Sequence, residues 1–275
     1  MSKESQLEEV KKQINKQYGA GAVMVMSDHR AAVPINVIST GNKIIDGLTG
    51  IGGIPRGRIT EIYGPEAGGK TTLCLQILAQ AQKLGGIVAY IDAEHALNID
   101  YARDVGVDVD KMLISQPDAG EDGLEIARML TKSGGVSAIV IDSVAALVPR
   151  SELEGDIGDA QMGLQARMMS QAMRVMNAEV MHSDTAMIFI NQTRDKIGQM
   201  FGNPETTTGG KALKFYSSLR IDIRRIGQIK KGDTIVGHTA KCKIVKNKFS
   251  APYTSAEIPL IYGQGLINPI PKEGK

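Results

Sequence analysis

The chain has 275 residues, 42% of them apolar, and a formal net charge of +2: length for one large core with a small appendage, but no global field drawing it to nucleic acid. Its two cysteines, Cys74 and Cys242, have neither paired spacing nor accompanying histidines, which argues against a disulfide framework or zinc site and for buried thiols in a reducing compartment. The N-terminal stretch lacks the apolar core of a secretory leader and no run is long enough to span a bilayer, so a cytoplasmic location without membrane contact is expected.

Leu7, Val10, Ile14 and Tyr18 share one side at helical spacing, with Lys11, Lys12 and Lys16 elsewhere, which predicts a helix over 5–18 closed by Gly19 to Gly21. Ser27 to Arg30 with Pro34 reads as a linker, so the narrow apolar stripe packs either at home or on a neighbouring subunit. Arg58 to Tyr63 is then an apolar strand and Thr71 to Gln82 a helix. Between them Gly64-Pro65-Glu66-Ala67-Gly68-Gly69-Lys70-Thr71 fits G-x-x-x-x-G-K-[ST], the phosphate-binding loop, in its required strand, loop and helix setting. Inward-facing N–H groups and the positive end of the helix make a nest for a triphosphate. Lys70 would reach the β- and γ-phosphates, and the Thr71 hydroxyl would hold a magnesium ion bridging them.

Further along, apolar strands over Ile87 to Glu94, Ser137 to Asp142 and Thr185 to Asn191 alternate with helices over His95 to Asp104, Gly123 to Ser133 and Gly163 to His182. The pattern predicts a doubly wound α/β core with four parallel strands. Leu219 to Arg225, Thr239 to Lys246 and Ser255 to Tyr262 read as an antiparallel extension, and Leu266 to Lys275, with two prolines, as a tail without further structure. Parallel sheets bind ligands at the C-terminal ends of their strands. There Asp142 is expected beside the metal and Glu94 as the base for water, with Asp92 turned into the core and Gln192 long enough to touch a γ-phosphate. Gln192 leads into Thr193 to Gly210, which carries Arg194, Ile197, Met200, Phe201, Thr208, Gly209 and Gly210. Its hydroxyls, glycine N–H groups, cations and apolar wedges suit single-stranded nucleic acid; composition alone equally allows a mobile lid.

The phosphate loop, Ile91 to Leu97, Gln161 to Arg174, Phe201 to Gly210 and Val245 to Lys248 together closely resemble the bacterial RecA recombinases, a resemblance running from about Leu7 to Gly265. It implies a RecA-like P-loop ATPase core at 34–265, preceded by a polymerisation helix and linker at 1–33 and followed by a short tail at 266–275. It also implies a homo-oligomeric helical filament on single-stranded DNA that uses ATP and Mg2+, exchanges strands with double-stranded DNA and promotes self-cleavage of the SOS repressor. Residue by residue, the resemblance assigns Glu66, Ala67, Gly68, Gly69, Lys70, Thr71 and Thr72 to the phosphates and metal, and Tyr101 and Tyr262 to the adenine. Lys246 and Lys248 would reach the γ-phosphate of the adjacent subunit, with Lys214, Phe215 and Arg220 at that contact. Met162, Arg167, Ser170, Arg174 and Ile197 would touch DNA.

The departures from that family are specific. Ala67 and Gly68 replace usual small hydroxyl residues, and Asn98 stands where an aspartate is common near the adenine. The family continues past Gly265 into a further small domain, so duplex uptake is where its activity is expected to differ. A hexameric helicase or clock-type ATPase, or a DNA- and ATP-binding module that completes no exchange, are the competing readings.

Overall fold

The computed structural model describes residues 2–25, 35–156, 163–195 and 205–268. Within them the predicted alternation of apolar strands and helices is present, and the chain divides into two units, Met1–Ile35 and Asn36–Lys275. The first carries α1 (Lys3–Tyr18), whose N-terminus is capped by the Ser2 hydroxyl accepting from the Ser5 N–H and whose end is set by Gly19 at φ 103°.

The second unit opens with β1 (Val37–Ile38), α2 (Lys43–Thr49) and β2 (Ile54–Pro55), and continues through β3 (Arg58–Gly64), α3 (Lys70–Lys83), β4 (Ile87–Asp92), α4 (Ile99–Val105), β5 (Met112–Ser115), α5 (Gly120–Lys132) and β6 (Val136–Asp142). After one turn, α6 (Arg150–Leu153), come α7 (Leu164–His182), β7 (Ala186–Asp195), β8 (Glu205–Thr207), α8 (Ala212–Tyr216), β9 (Leu219–Lys231), β10 (Thr234–Asn247), β11 (Ser255–Ile261) and β12 (Gly265–Leu266). The strands lie in the order β12-β11-β10-β9-β3-β7-β6-β4-β5, with β8 paired to β7. From β9 to β5 neighbours run parallel, whereas β10, β11 and β12 add on antiparallel.

Three expectations are corrected. The parallel set holds six strands rather than four. β5 was missed because, as an edge strand, it leaves Leu113 and Ile114 about half exposed and lacks the pattern of a buried strand. β9 is parallel to β3 through Thr60 and Leu219 to Tyr63 and Asp222, and only its far side begins the antiparallel ribbon. Finally, Leu266 is no tail residue: it is 1% exposed, pairs with Leu260, and its backbone is clasped by the Gln76 amide, which donates to its carbonyl (3.1 Å) and accepts its N–H (2.9 Å).

Residues alternate across β3 so that Ile62 faces the apolar layer under α3, and Ile59 the layer under α5 and α7. Glu61 falls on a core position at 0% exposure and is ionically paired with the Arg220 guanidinium at 2.5 Å. Asn191 donates to its other carboxylate oxygen (2.9 Å), and the same Arg220 stacks over the Tyr63 ring at 4.5 Å. Breaking a buried pair strands a charge. Glu61→Ala should therefore lower the free energy of unfolding in urea by about 3–5 kcal/mol, and Glu61→Leu with Arg220→Leu should recover part of that loss; no recovery would mean the pair itself stabilises the fold.

Candidate active site

The C-terminal edge of the parallel strands gathers the residues singled out above. β3 ends at Gly64, in register with Gln192 of β7, and Asp92 of β4 is in register with Asp142 of β6. The loop after Gly64 is bent by Ala67 at φ 54° and Gly69 at φ 101°. The first is a left-handed conformation that costs a non-glycine residue about 1 kcal/mol. Gly64 and Gly68 cross Ile223 so closely that a Cβ would lie 2.1 and 2.8 Å from its carbonyl oxygen. Glycine is thus required by packing as well as by ligand approach, while Glu66 and Ala67 are exposed at the rim. Lys70, buried, donates from Nζ to the carbonyls of Gly64 (3.1 Å) and Pro65 (2.7 Å), and its burial lowers its pKa from the ordinary lysine value.

Thr71 Oγ1 donates to Asp142 Oδ2 at 3.0 Å, and the buried Tyr90 hydroxyl donates to the same oxygen at 2.5 Å. In octahedral magnesium coordination at 2.0–2.1 Å, adjacent ligand oxygens stand about 3 Å apart. The Thr71 and Asp142 oxygens therefore fit one edge of such a site, with a donor set hard enough for it. Burial raises the Asp142 carboxyl above its usual range, against the hydrogen bonds from Tyr90 and Thr71 that lower it.

Glu94 hangs beside this pair because the N–H groups of Ala93 and Glu94 both bond to the Asp142 carbonyl, at 2.8 and 3.3 Å. Its Oε1 accepts from the Ser143 hydroxyl and from Gln192 Nε2 at 3.0 Å. Gln192 therefore touches the expected base directly. Asp92 is turned into the core and accepts from the Ala96 and Leu97 N–H groups and from Gln116, as its position beside Glu94 suggested. A cavity of about 160 Å3 opens between Thr71, Glu94, Leu97, Asn98, Tyr101 and Asp142. Asn98 caps α4 by accepting from the Tyr101 N–H (2.9 Å), and the Thr72 hydroxyl is engaged with the Tyr101 hydroxyl at 2.7 Å. Tyr262 is half exposed, and a Cβ on the adjoining Gly263 would lie 3.8 Å from Asp104, which sets this turn beside the helix carrying Tyr101.

Lys246 and Lys248 lie elsewhere. Lys246 is in register with Arg220, which is in register with Glu61; the Lys248 N–H bonds to Ser218, whose own N–H bonds to Ile59. At about 3.3 Å per residue these levels are roughly 10 and 17 Å below Gly64, and two strand spacings of about 4.8 Å intervene. A lysine side chain reaches about 6 Å, so neither serves the loop of its own chain. Lys246 Nζ donates instead to the carbonyls of Lys214 and Phe215, both at 2.8 Å, and Phe215 is 67% exposed. These residues form one surface cluster. Arg220, assigned to the same contact, is 7% exposed and held by Glu61.

On α7, Arg167 and Arg174 are exposed and Ser170 is half-buried, while Met168, Met169, Met173 and Met176 pack inward. Thr193 to Asp195 pair with Glu205 to Thr207, so the loop after Gln192 is rooted in a short ribbon, favoured by its threonines. Arg194 is exposed on it. Thr208 bonds through its hydroxyl to Asn191, and Gly209 and Gly210, at φ 76° and 79°, abut Val144 and Ala166 too closely for a Cβ. Met162, Ile197, Met200 and Phe201 lie outside the described residues. Sequence reasoning missed Ser143, Tyr90 and Asn191: two were counted as strand residues, and Ser143 was signalled only by adjacency to Asp142.

Residues 5–267 match the family described as the RecA N-terminal domain. The protein RecA of Methylococcus capsulatus is 58% identical over 254 residues, covering 92% of this chain and 73% of that protein. The protein RecA of Laribacter hongkongensis is 59% identical over 254 residues (92% and 72%), and that of Gluconobacter oxydans 58% over 266 (97% and 77%). A crystal structure of the RadB recombinase superposes with a TM-score of 0.64 over 85% of this chain and 100% of its own, at 22% identity, a likeness of fold.

Because Asp142 is more readily protonated in the fold than in the unfolded chain, its charge is a liability that is absent below a pH of about 4 and grows as pH rises through the raised value. Asp142→Asn should thus melt at or above the parent temperature at pH 7.5 in metal-free buffer, the advantage shrinking toward pH 4. A variant that melts lower at pH 7.5 would show that the ionised carboxylate is already compensated.

Proposed function

We propose a function on the premise that the chain belongs to the RecA family: ATP-dependent homologous recombination and repair, carried out by copies joined head to tail on single-stranded DNA. The observation that carries this reading is the separation of Lys246 and Lys248 from the phosphate loop. If they act on a γ-phosphate, it is one bound to another copy. One edge of a chain then meets a different edge of the next, and such heterologous contacts repeat into helices or rings. Lys214 and Phe215 belong to the same contact and the exposed stripe of α1 docks on a neighbouring copy, so hydrolysis waits on assembly.

Within one site the triphosphate lies on the N–H groups of Glu66 to Thr72, and Lys70 exchanges loop carbonyls for phosphate oxygens. Mg2+, held by Thr71 and Asp142, would neutralise charge on the β- and γ-phosphates. Glu94 takes the proton of the attacking water, with Ser143 and Gln192 orienting its carboxylate. Tyr101 and Tyr262 enclose the adenine. Because Gln192 stands between the base and the ribbon that roots the following loop, DNA on that loop and γ-phosphate in the site bias the same side chain. Arg167, Ser170, Arg174, Arg194 and Thr208 to Gly210 grip phosphates, with Met162 and Ile197 against bases. Strand exchange with duplex DNA and SOS repressor self-cleavage are activities of the assembled polymer.

ATP turnover should rise strongly with single-stranded DNA and be lost in Glu94→Gln and in Lys248→Ala alone. Mixing the two variants should restore part of it, because about a quarter of random junctions join an intact base to an intact lysine; no recovery on mixing would overturn the shared site. Arg167→Ala with Arg174→Ala should weaken single-strand binding and reduce the slope of log affinity against log salt by about 1.4. An unchanged slope would remove both arginines from the DNA surface.

A further inference from the structure

His238, on β10, is 4% exposed, and neither ring nitrogen makes a hydrogen bond of full geometry among the described residues. Buried imidazoles are ordinarily satisfied, and this one is placed where its state matters. It is in register with Leu260 of β11, the residue whose side chain would lie 2.7 Å from a Cβ on Gly69 of the phosphate loop. Its ring meets the Gly68 backbone on one side. On the other stands the Tyr262 ring, centroids 6.1 Å apart and planes at 57°. The imidazole thus bridges the phosphate-binding loop and the tyrosine beside the base cavity. The charge bearing on it is that of Arg225 from β9; β11 and the turn after it contribute Leu260 and Tyr262, and the phosphate loop contributes uncharged backbone.

We propose that His238 is a positioning residue of the nucleotide site, seating Gly68 against Tyr262, and that binding of a nucleoside polyphosphate at the loop is coupled to proton uptake by its ring. The inference rests on the nucleotide reading of the loop. In the free chain burial, and then the charge of Arg225, lower the ring's pKa from the ordinary histidine value, against the Gly68 backbone, which raises it. A polyphosphate on the far side of Gly68 adds negative charge and favours the imidazolium. Linkage makes the effect reciprocal: nucleotide raises the histidine pKa, and lower pH tightens nucleotide.

The test uses ADP, which avoids turnover, and two readouts. In the NMR spectrum of the four histidines, assigned with His238→Gln, the His238 pKa should rise on saturation with ADP, and an unchanged value would overturn the coupling. Between pH 7.5 and 5.5 the parent should gain affinity for ADP about 3- to 10-fold beyond any gain in His238→Gln, one pKa unit being a factor of ten. Titration of the ADP phosphate itself is common to both proteins and cancels. Equal pH slopes would overturn the role of His238 while leaving the nucleotide site intact. If neither protein binds ADP at any pH, the nucleotide reading fails together with the inference. Should His238→Gln not fold, Gln variants of His29, His95 and His182 assign the remaining signal to His238, and its pKa with and without ADP decides alone.

Discussion

Asp142 is the residue on which the site depends. Its carboxylate receives Thr71 from the phosphate-loop helix and Tyr90 from β4, while its carbonyl receives the N–H groups of Ala93 and Glu94. One residue therefore sets the distance between the loop and Glu94. The parallel register of β3, β7, β6 and β4 fixes all four contributing strand ends on one edge before anything binds. Preorganisation of this kind spares reorganisation during the chemical step.

The same edge is costly to hold. A carboxylate with a raised pKa, a lysine with a lowered one and an alanine at positive φ all sit within it. Burial shifts Asp142 and Lys70 in opposite directions, each toward its neutral form, so both are poised to gain when an anion and a cation arrive together. The fold offsets this below the site, where the Glu61 and Arg220 pair, Asn191 and the two apolar layers fasten β3 to β7 and β9.

The placement of the phosphate loop, Glu94, Asp142 and Gln192 on one edge was legible because a local pattern announces each: an apolar strand, then a carboxylate or a glycine turn. The inward turn of Asp92 was anticipated too, and it is held there, at the end of its strand, by the Ala96 and Leu97 N–H groups and by Gln116. What escaped depended on contacts distant in sequence. Leu266 looks like the start of a proline-rich tail until Gln76, 190 residues earlier, clasps its backbone. β5 is an edge strand whose half-exposed residues show no period, and the direction of β9 is set by where the chain returns after α8. Arg220 reads as one more polar residue of an alternating strand, and only the sheet register puts it opposite Glu61.

The hydrogen bond from Gln192 to Glu94 gives the extension of β7 its meaning. A strand ending at Asn191 would leave Gln192 at a loop's start, free to move without consequence for the loop's other end. As built, Asn191 bonds to Glu61 below and to Thr208 beyond, while Thr193 to Asp195 pair with Glu205 to Thr207. A displacement of Gln192 must therefore be taken up by the ribbon, by Thr208 or by the buried pair, and the ribbon is the least buried of the three. Whatever engages the loop beyond that ribbon thus has a short mechanical route to the Glu94 carboxylate, and Glu94 has the same route back.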